Sequence, residues 1–183
     1  MERLFVIDLK DYDVNWPCSK RPSVRAIIQK GDKLAMVYDQ KYDYYTFPGG
    51  GIEEGETFHQ ALVREVEEEV GLLVIPESIE EFGSALRRGS SYRFEKTIFE
   101  QENFYYTCQT YERIVEQKLD EGEAEEGYTL VWVSPEEAWR KNRFDDHKEE
   151  NGGVWIERET RILEFLIEEK EETDEGNLGE VVC

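Results

Sequence analysis

The stretch "PGGGIEEGETFHQALVREVEEEVGL", residues 48–72, decides the fold. Its second half reads as a helix from about Thr57 to Val70. Thr57 and Gln60 have capping-box spacing, and Gly71 stands where a left-handed residue ends a helix. Turning each residue by about 100° gathers Glu65, Glu68 and Glu69 into one arc, with Leu62, Val63, Val66 and Val70 on the arc beside it. One face is therefore acidic and its neighbour is buried. Carboxylates three and four residues apart on a helix repel each other by about 0.2–0.5 kcal/mol per pair, so crowding them at a core edge calls for a compensating cation. A hard divalent ion answers that need: magnesium takes oxygen ligands, keeps several waters and is commonly shared with substrate phosphates. Gly49, Gly50 and Gly51 have no side chains to keep the backbone away from such an ion.

Working outward, "RLFVIDL" reads as a strand, and "SVRAIIQ" and "KLAMVYD" flank the turn "KGD" as a hairpin. Beyond the helix, "SIEEFGSALRR" and "TIFEQENFYYTCQTYERI" read as two strands, long or bulged, joined by the polar loop "GSSYRFEK". The acidic loop "LDEGEAEEG" leads into the strand "YTLVWV". Ser134, Pro135 and Glu137 then open a second helix, with serine as cap and proline in the first turn. A last helix, from about Val154 to Lys170, sets Ile162, Leu163, Phe165, Leu166 and Ile167 mostly on one side, to pack on the sheet. Strands interleaved with three helices imply an α/β class chain: one α/β/α sandwich with a mixed β-sheet over residues 1–170, followed by an acidic tail, 171–183, expected to fray.

Composition narrows the function classes. With 43 acidic against 22 basic residues, the net charge of −21 repels other polyanions. Long nucleic acid and anionic membranes are thus excluded as partners held by charge, while small anions remain open if cations screen them. Cys18, Cys108 and Cys183 form neither a CxxC pair nor a set with nearby histidines, so neither a disulfide framework nor a zinc site is indicated. The apolar run in "MERLFVIDLKDYD" is too short for a signal-peptide core, and no later stretch approaches a membrane span. A reducing cytoplasm is the expected location.

At the helix the chain resembles a known family. Gly50, Glu56, Arg64, Glu65, Val66, Glu68, Glu69, Gly71 and Leu72 fit the Nudix box at each of its defined positions, and a hairpin before it and "VWVSPEEA" after it extend the likeness from about Ser23 to Lys141. The resemblance implies hydrolysis of a diphosphate linkage in a small nucleotide, either a nucleoside triphosphate or a nucleoside diphosphate joined to another group. It implies Mg²⁺, with Mn²⁺ able to substitute, on Glu65, Glu68 and Glu69, and a Gly49 or Gly50 carbonyl as a further ligand. Either Glu65 or Glu68 would act as base toward a bound water, and Glu56 and Arg64 would form the ion pair that holds loop against helix. Glu126, ahead of "YTLVWV", is the expected additional acidic ligand, with Glu123 next. The resemblance also leaves a homodimer through the early strands as an expected form.

Outside the box, Arg87, Arg88 and Arg93, with Lys96, cluster around one loop and are candidates to meet substrate phosphate. The tyrosines at 42, 44, 45, 92, 105 and 106 read first as strand packing, with one able to stack on a base. A nucleotide-sensing binding module without turnover is the competing reading, and an isoprenoid diphosphate isomerase a third. The intact box weighs against both. Roughly sixteen residues past the box, where ADP-ribose hydrolases of the family carry a proline and diadenosine polyphosphate hydrolases a tyrosine, this chain has Arg87 and Arg88, so neither label attaches.

Overall fold

The structure, a computed structural model, describes residues 1–145, 147 and 153–178. In chain order the strands before the first helix are β1 (Arg3–Asp8), β2 (Cys18–Lys20), β3 (Ser23–Ile27), β4 (Gln29–Lys30), β5 (Lys33–Asp39) and β6 (Tyr44–Thr46). Helix α1 (Phe58–Val70) is followed by β7 (Leu72–Val74), β8 (Glu80–Ser90), β9 (Ile98–Thr107) and β10 (Thr110–Ile114). Then come α2 (Glu121–Glu126), β11 (Thr129–Val133), α3 (Pro135–Phe144) and α4 (Gly153–Leu178).

Helix α1 begins and ends where local chemistry dictates. Thr57 and Gln60 cap each other reciprocally, and Gly71 adopts φ 68°, where its N–H closes onto the Glu67 carbonyl. Strand β9 is the spine of a mixed sheet. It pairs antiparallel with β8, which in turn pairs parallel with β1, while β2 and β3 run parallel along the other side of β9. A second, antiparallel sheet joins β11, β5, β4 and β6, and β7 with β10 makes a two-stranded ribbon.

Strand alternation builds two cores, one on each face. Val24, Ala26, Ala35, Val37 and Tyr106 meet Leu62, Val66 and Val70 of α1. Their chain neighbours Ile27, Leu34, Met36 and Tyr105 meet Ala138 of α3 and Ile162 and Leu163 of α4. The expected α/β/α layering is thus present, with α1 on one side and α3 and α4 on the other.

Four local expectations change. The hairpin around "KGD" is real only at its tip, where β4 meets β5; β3 leaves it for β9, with Ser23 opposite Asn103. The second long strand divides into β9 and β10. The acidic loop closes into the short helix α2, because Asp120 and Glu123 form a second reciprocal cap and Gly127 stops it at φ 73°. Finally, α4 runs past Lys170 to Leu178, so the expected frayed tail is helical over that stretch; residues 179–183 lie outside the described ones.

Candidate active site

Carboxylates of α1 and α2 converge. Oxygens of Glu65, Glu69 and Glu123 all lie within 4.8 Å of one another. They come from one helical face and from a helix that follows the distant strand β10, so α2 completes what the box begins. Gly50, Gly51, Arg64, Glu68 and Arg21 complete a cleft of about 410 Å³ above them. The set offers only hard oxygen donors, which suits magnesium or manganese and no thiophilic metal.

Electrostatics support the same reading. Burial pushes the Glu69 carboxyl up to about 8, opposed by the charge of Arg25 and by the Gly49 N–H, which donates to Glu69 Oε2 at 2.7 Å. Glu65 and Glu123 are also raised, burial being the chief cause in each. Three acids held in a desolvated group with too little positive charge are a site that a cation would stabilise. Glu56 goes the opposite way, down to about 2, because Arg64 holds it through two hydrogen bonds, Nε to Oε1 at 2.7 Å and Nη2 to Oε2 at 2.9 Å. Arg64 also donates to the Gly51 carbonyl, to Glu65 Oε1 and to Glu68 Oε2. The anticipated Glu56–Arg64 pair therefore exists, and it ties the glycine loop to the acidic face.

Glu68 stands apart from the trio of Glu65, Glu69 and Glu123. Its side chain, 36% exposed, lines the cleft with Arg64 against one oxygen. The Gly50 carbonyl already accepts from the Val24 N–H at 3.0 Å, which leaves one lone pair for a ligand. Glu126 is not in the cluster; it lines a neighbouring cavity with Asp39 and Tyr128, and it is Glu123, the second choice from sequence, that lies with Glu65 and Glu69. Glu126, the last residue of α2, lies nearly a turn farther along the helix, where its carbonyl accepts from the Lys41 N–H at 3.0 Å. The arginines expected to act together are dispersed. Arg88 pairs with Glu100 at 3.1 Å on one face of β8, Arg87 is buried on the other, and Arg93 is exposed beside Tyr92.

Sequence reasoning missed Arg21 and Arg25. Arg25 sits near Glu65 and Glu69 and donates to the Phe47 carbonyl at 3.0 Å, just ahead of the glycine loop. Arg21 lies over Gly51 and lines both the cleft and the neighbouring cavity. Each is a single arginine in or beside an early strand, with no motif to mark it. Their importance comes from β3 running beside the glycine loop, where Ser23 bridges Gly51.

The close approach at Gly50 makes a prediction. A Cβ there would lie 2.6 Å from the Glu65 carboxylate, which would have to swing out of the trio. Gly50→Ala is expected to weaken divalent-cation binding by about 10- to 100-fold, the range for disturbing a ligand's support, with little change in thermal stability. Calorimetric titration with Mn²⁺ would measure it, and unchanged affinity would show that Glu65 takes no part.

Comparison with known proteins agrees with this architecture. The sequence matches the NUDIX domain family over residues 19–152. Among solved structures, a NUDIX hydrolase from Nitrosomonas europaea is 24% identical, with 76% of this chain and 87% of that one covered, at a TM-score of 0.52. A MutT structure from work on Aliivibrio salmonicida and Vibrio cholerae is 21% identical over 78% of this chain and 98% of that one, at 0.46. The Bacillus subtilis pyrophosphohydrolase BsRppH is 21% identical over 61% of each chain, also at 0.46. No curated protein shows significant similarity to the sequence.

Proposed function

The chain belongs to the NUDIX family, and from that premise we propose that it is a Mg²⁺-dependent pyrophosphohydrolase. It cleaves the diphosphate linkage of a nucleoside triphosphate or of a nucleoside diphosphate joined to another group. The observation that carries this reading is the trio Glu65, Glu69 and Glu123, converging within 4.8 Å, with Glu65 and Glu123 lining a cleft bordered by Arg64 and Arg21.

In this reading Glu65, Glu69 and Glu123 hold the cation, with the free lone pair of the Gly50 carbonyl beside them. The ion, when bound, offsets charge on the non-bridging phosphate oxygens and acidifies a water. Glu68 takes the proton. Its Oε2 is engaged by Arg64, which leaves Oε1 to accept from the water at the mouth of the cleft. Arg64 fixes the angle of Glu68 and Glu65 together, and the Glu56 carboxylate, ionised down to about 2, keeps Arg64 in place across the working pH range. Arg21 meets the phosphates from the other wall. Among the described residues no helix is long and apolar enough to cross a membrane, in keeping with a small diffusible substrate.

A panel of nucleoside triphosphates and nucleoside diphosphate derivatives, incubated with Mg²⁺ or Mn²⁺ and with EDTA controls, tests the proposal. Metal-dependent release of phosphate, pyrophosphate or a nucleoside monophosphate is expected. Tight nucleotide binding with no turnover above a Glu68→Gln control would replace hydrolysis with sensing.

A further inference from the structure

Beside the cleft lies a cavity of about 310 Å³, walled by β9, by Tyr42 and Tyr128, and by the first turns of α4. Arg21 is the residue shared by its lining and that of the cleft, so a ligand whose phosphates lie at the carboxylate trio passes Arg21 to enter it. The volume is at the low end for a ligand pocket and admits one nucleoside. We propose that this cavity holds the nucleobase of the substrate and selects guanine through Gln101 and Arg87. The proposal rests on the pyrophosphohydrolase reading for where the phosphates lie.

The argument starts from polar groups that the fold leaves unused. Gln101 is 7% exposed and lines the cavity, yet its amide oxygen has no hydrogen-bond partner. Directly across the β8–β9 ladder stands Arg87, 9% exposed, whose Nε and Nη1 also lack partners. No carboxylate among the described residues reaches Arg87 as an ion pair; its guanidinium instead faces the rings of Trp155 at 4.8 Å and Phe99 at 5.8 Å. A buried cation with two idle N–H groups is costly, and so is an idle amide oxygen. Both occur at one register position, Gln101 on the cavity wall and Arg87 behind the Trp155 indole that lines it, whereas Arg158, the other buried arginine among the described residues, is engaged by Glu159 and Asn103. A ligand that satisfies all three groups removes the cost.

Between them these groups offer one acceptor and two donors. Their complement is one donor and two acceptors, which N1–H, O6 and N7 supply along the guanine edge, and an arginine fork on O6 and N7 is the commonest specific contact to that base. Adenine places an amino donor where O6 would be and meets the arginine donor to donor. Uracil supplies the first two atoms and lacks the third. Trp155 covers Arg87, so entry of the base turns the indole, which then stacks on the purine face with Tyr92 and Phe99 nearby.

The test uses the full chain in EDTA, where no hydrolysis interferes, titrated with GMP, AMP, CMP, UMP and ribose 5-phosphate. Quenching of tryptophan fluorescence is the signal, and Trp155→Phe identifies the part due to Trp155. GMP is expected to bind at least about ten-fold more tightly than AMP or CMP, with UMP between, and to quench Trp155. Gln101→Leu is expected to bring GMP and AMP to within about two- to three-fold of each other; Gln101→Glu, which keeps both the volume and the acceptor, guards against misfolding and should keep the preference. Equal affinity for the four nucleotides, comparable binding of ribose 5-phosphate, no binding of GMP, or an unchanged preference in Gln101→Leu would each overturn the assignment. Guanine preference in a protein without turnover would instead sink the hydrolase reading and leave the base site standing.

Discussion

Exchange of Glu69 for glutamine is expected to lower kcat by more than about 100-fold while making the cation-free protein more stable at pH 8. The two effects have one origin. Glu69 is 3% exposed, and burial raises its carboxyl to about 8 from an ordinary value near 4.5. A carboxyl with a raised folded pKa contributes stability that is complete below the unfolded value and is lost as pH climbs through the folded one. In EDTA, thermal stability should therefore fall between about pH 4.5 and pH 8, and a divalent cation should restore it by favouring the ionised form. Glutamine keeps an acceptor for the Gly49 N–H at this position but carries no charge to lose. Glu69→Gln should then show a shallower pH dependence in EDTA and, at pH 8, a gain of about 1 kcal/mol or more, a rise of roughly 2–4 °C in Tm. The same exchange removes a ligand of the trio, and loss of a direct ligand exceeds the roughly 10- to 100-fold cost of losing an outer support. Glu68→Gln separates the roles. It should lower kcat by about 100-fold, within the range for a general base, while Mn²⁺ affinity and the pH dependence of stability stay as they were. If Glu69→Gln kept its cation affinity and the wild-type slope of stability with pH, Glu69 would be a structural acid and the trio no metal site.

The contrast between these glutamates also shows what the sequence could reveal. Much that depends on neighbours a few residues away was legible: the cap at Thr57, the stop at Gly71 and the acidic and apolar faces of α1, while the pairing of Glu56 with Arg64 came from the family resemblance. The layered α/β architecture followed from the same local periodicities. What stayed hidden depends on pairing across long separations. Nothing near Ser23 announces that β3 will leave its hairpin partner for Asn103. Yet that choice sets Arg25 near Glu65 and Glu69 and carries the chain from Arg21 past Gly51. Glu126 was favoured over Glu123 for its place just ahead of "YTLVWV"; once Asp120 caps a helical turn at Glu123, it is Glu123 that lies with Glu65 and Glu69. The apolar stripe of α4 was readable from period alone, and Ile162 and Leu163 are indeed fully buried. Its charged residues were not, because a helix seen alone places Arg158 and Glu159 in solvent.

Those two residues carry the largest expected effect on stability. Glu159→Ala should destabilise the fold by about 3–5 kcal/mol, the cost of stranding one member of a buried ion pair. Glu159 has no exposed surface and Arg158 only 3%. Arg158 donates through Nε to Glu159 Oε1 at 2.8 Å and through Nη1 to Asn103 Oδ1 at 2.9 Å, and Asn103 in turn accepts from the Ser23 hydroxyl. The other Glu159 oxygen accepts from the Phe47 N–H at 3.2 Å. Truncation at 159 thus leaves a buried guanidinium uncompensated and a buried backbone donor idle, on the residue that precedes Pro48 and the glycine loop. A typical domain holds about 5–15 kcal/mol in all, so such a variant should unfold at much lower denaturant and lose activity through the loop that Phe47 anchors. Stability curves in urea would measure the loss. The charge argument is separated from simple loss of packing by the double variant Arg158→Met/Glu159→Leu, which removes both charges and fills the space. It should recover a substantial part of what Glu159→Ala loses, since apolar replacement of a whole buried pair is often neutral or better. A double variant no more stable than the single one would mean that shape, and not the stranded charge, governs how α4 holds the sheet.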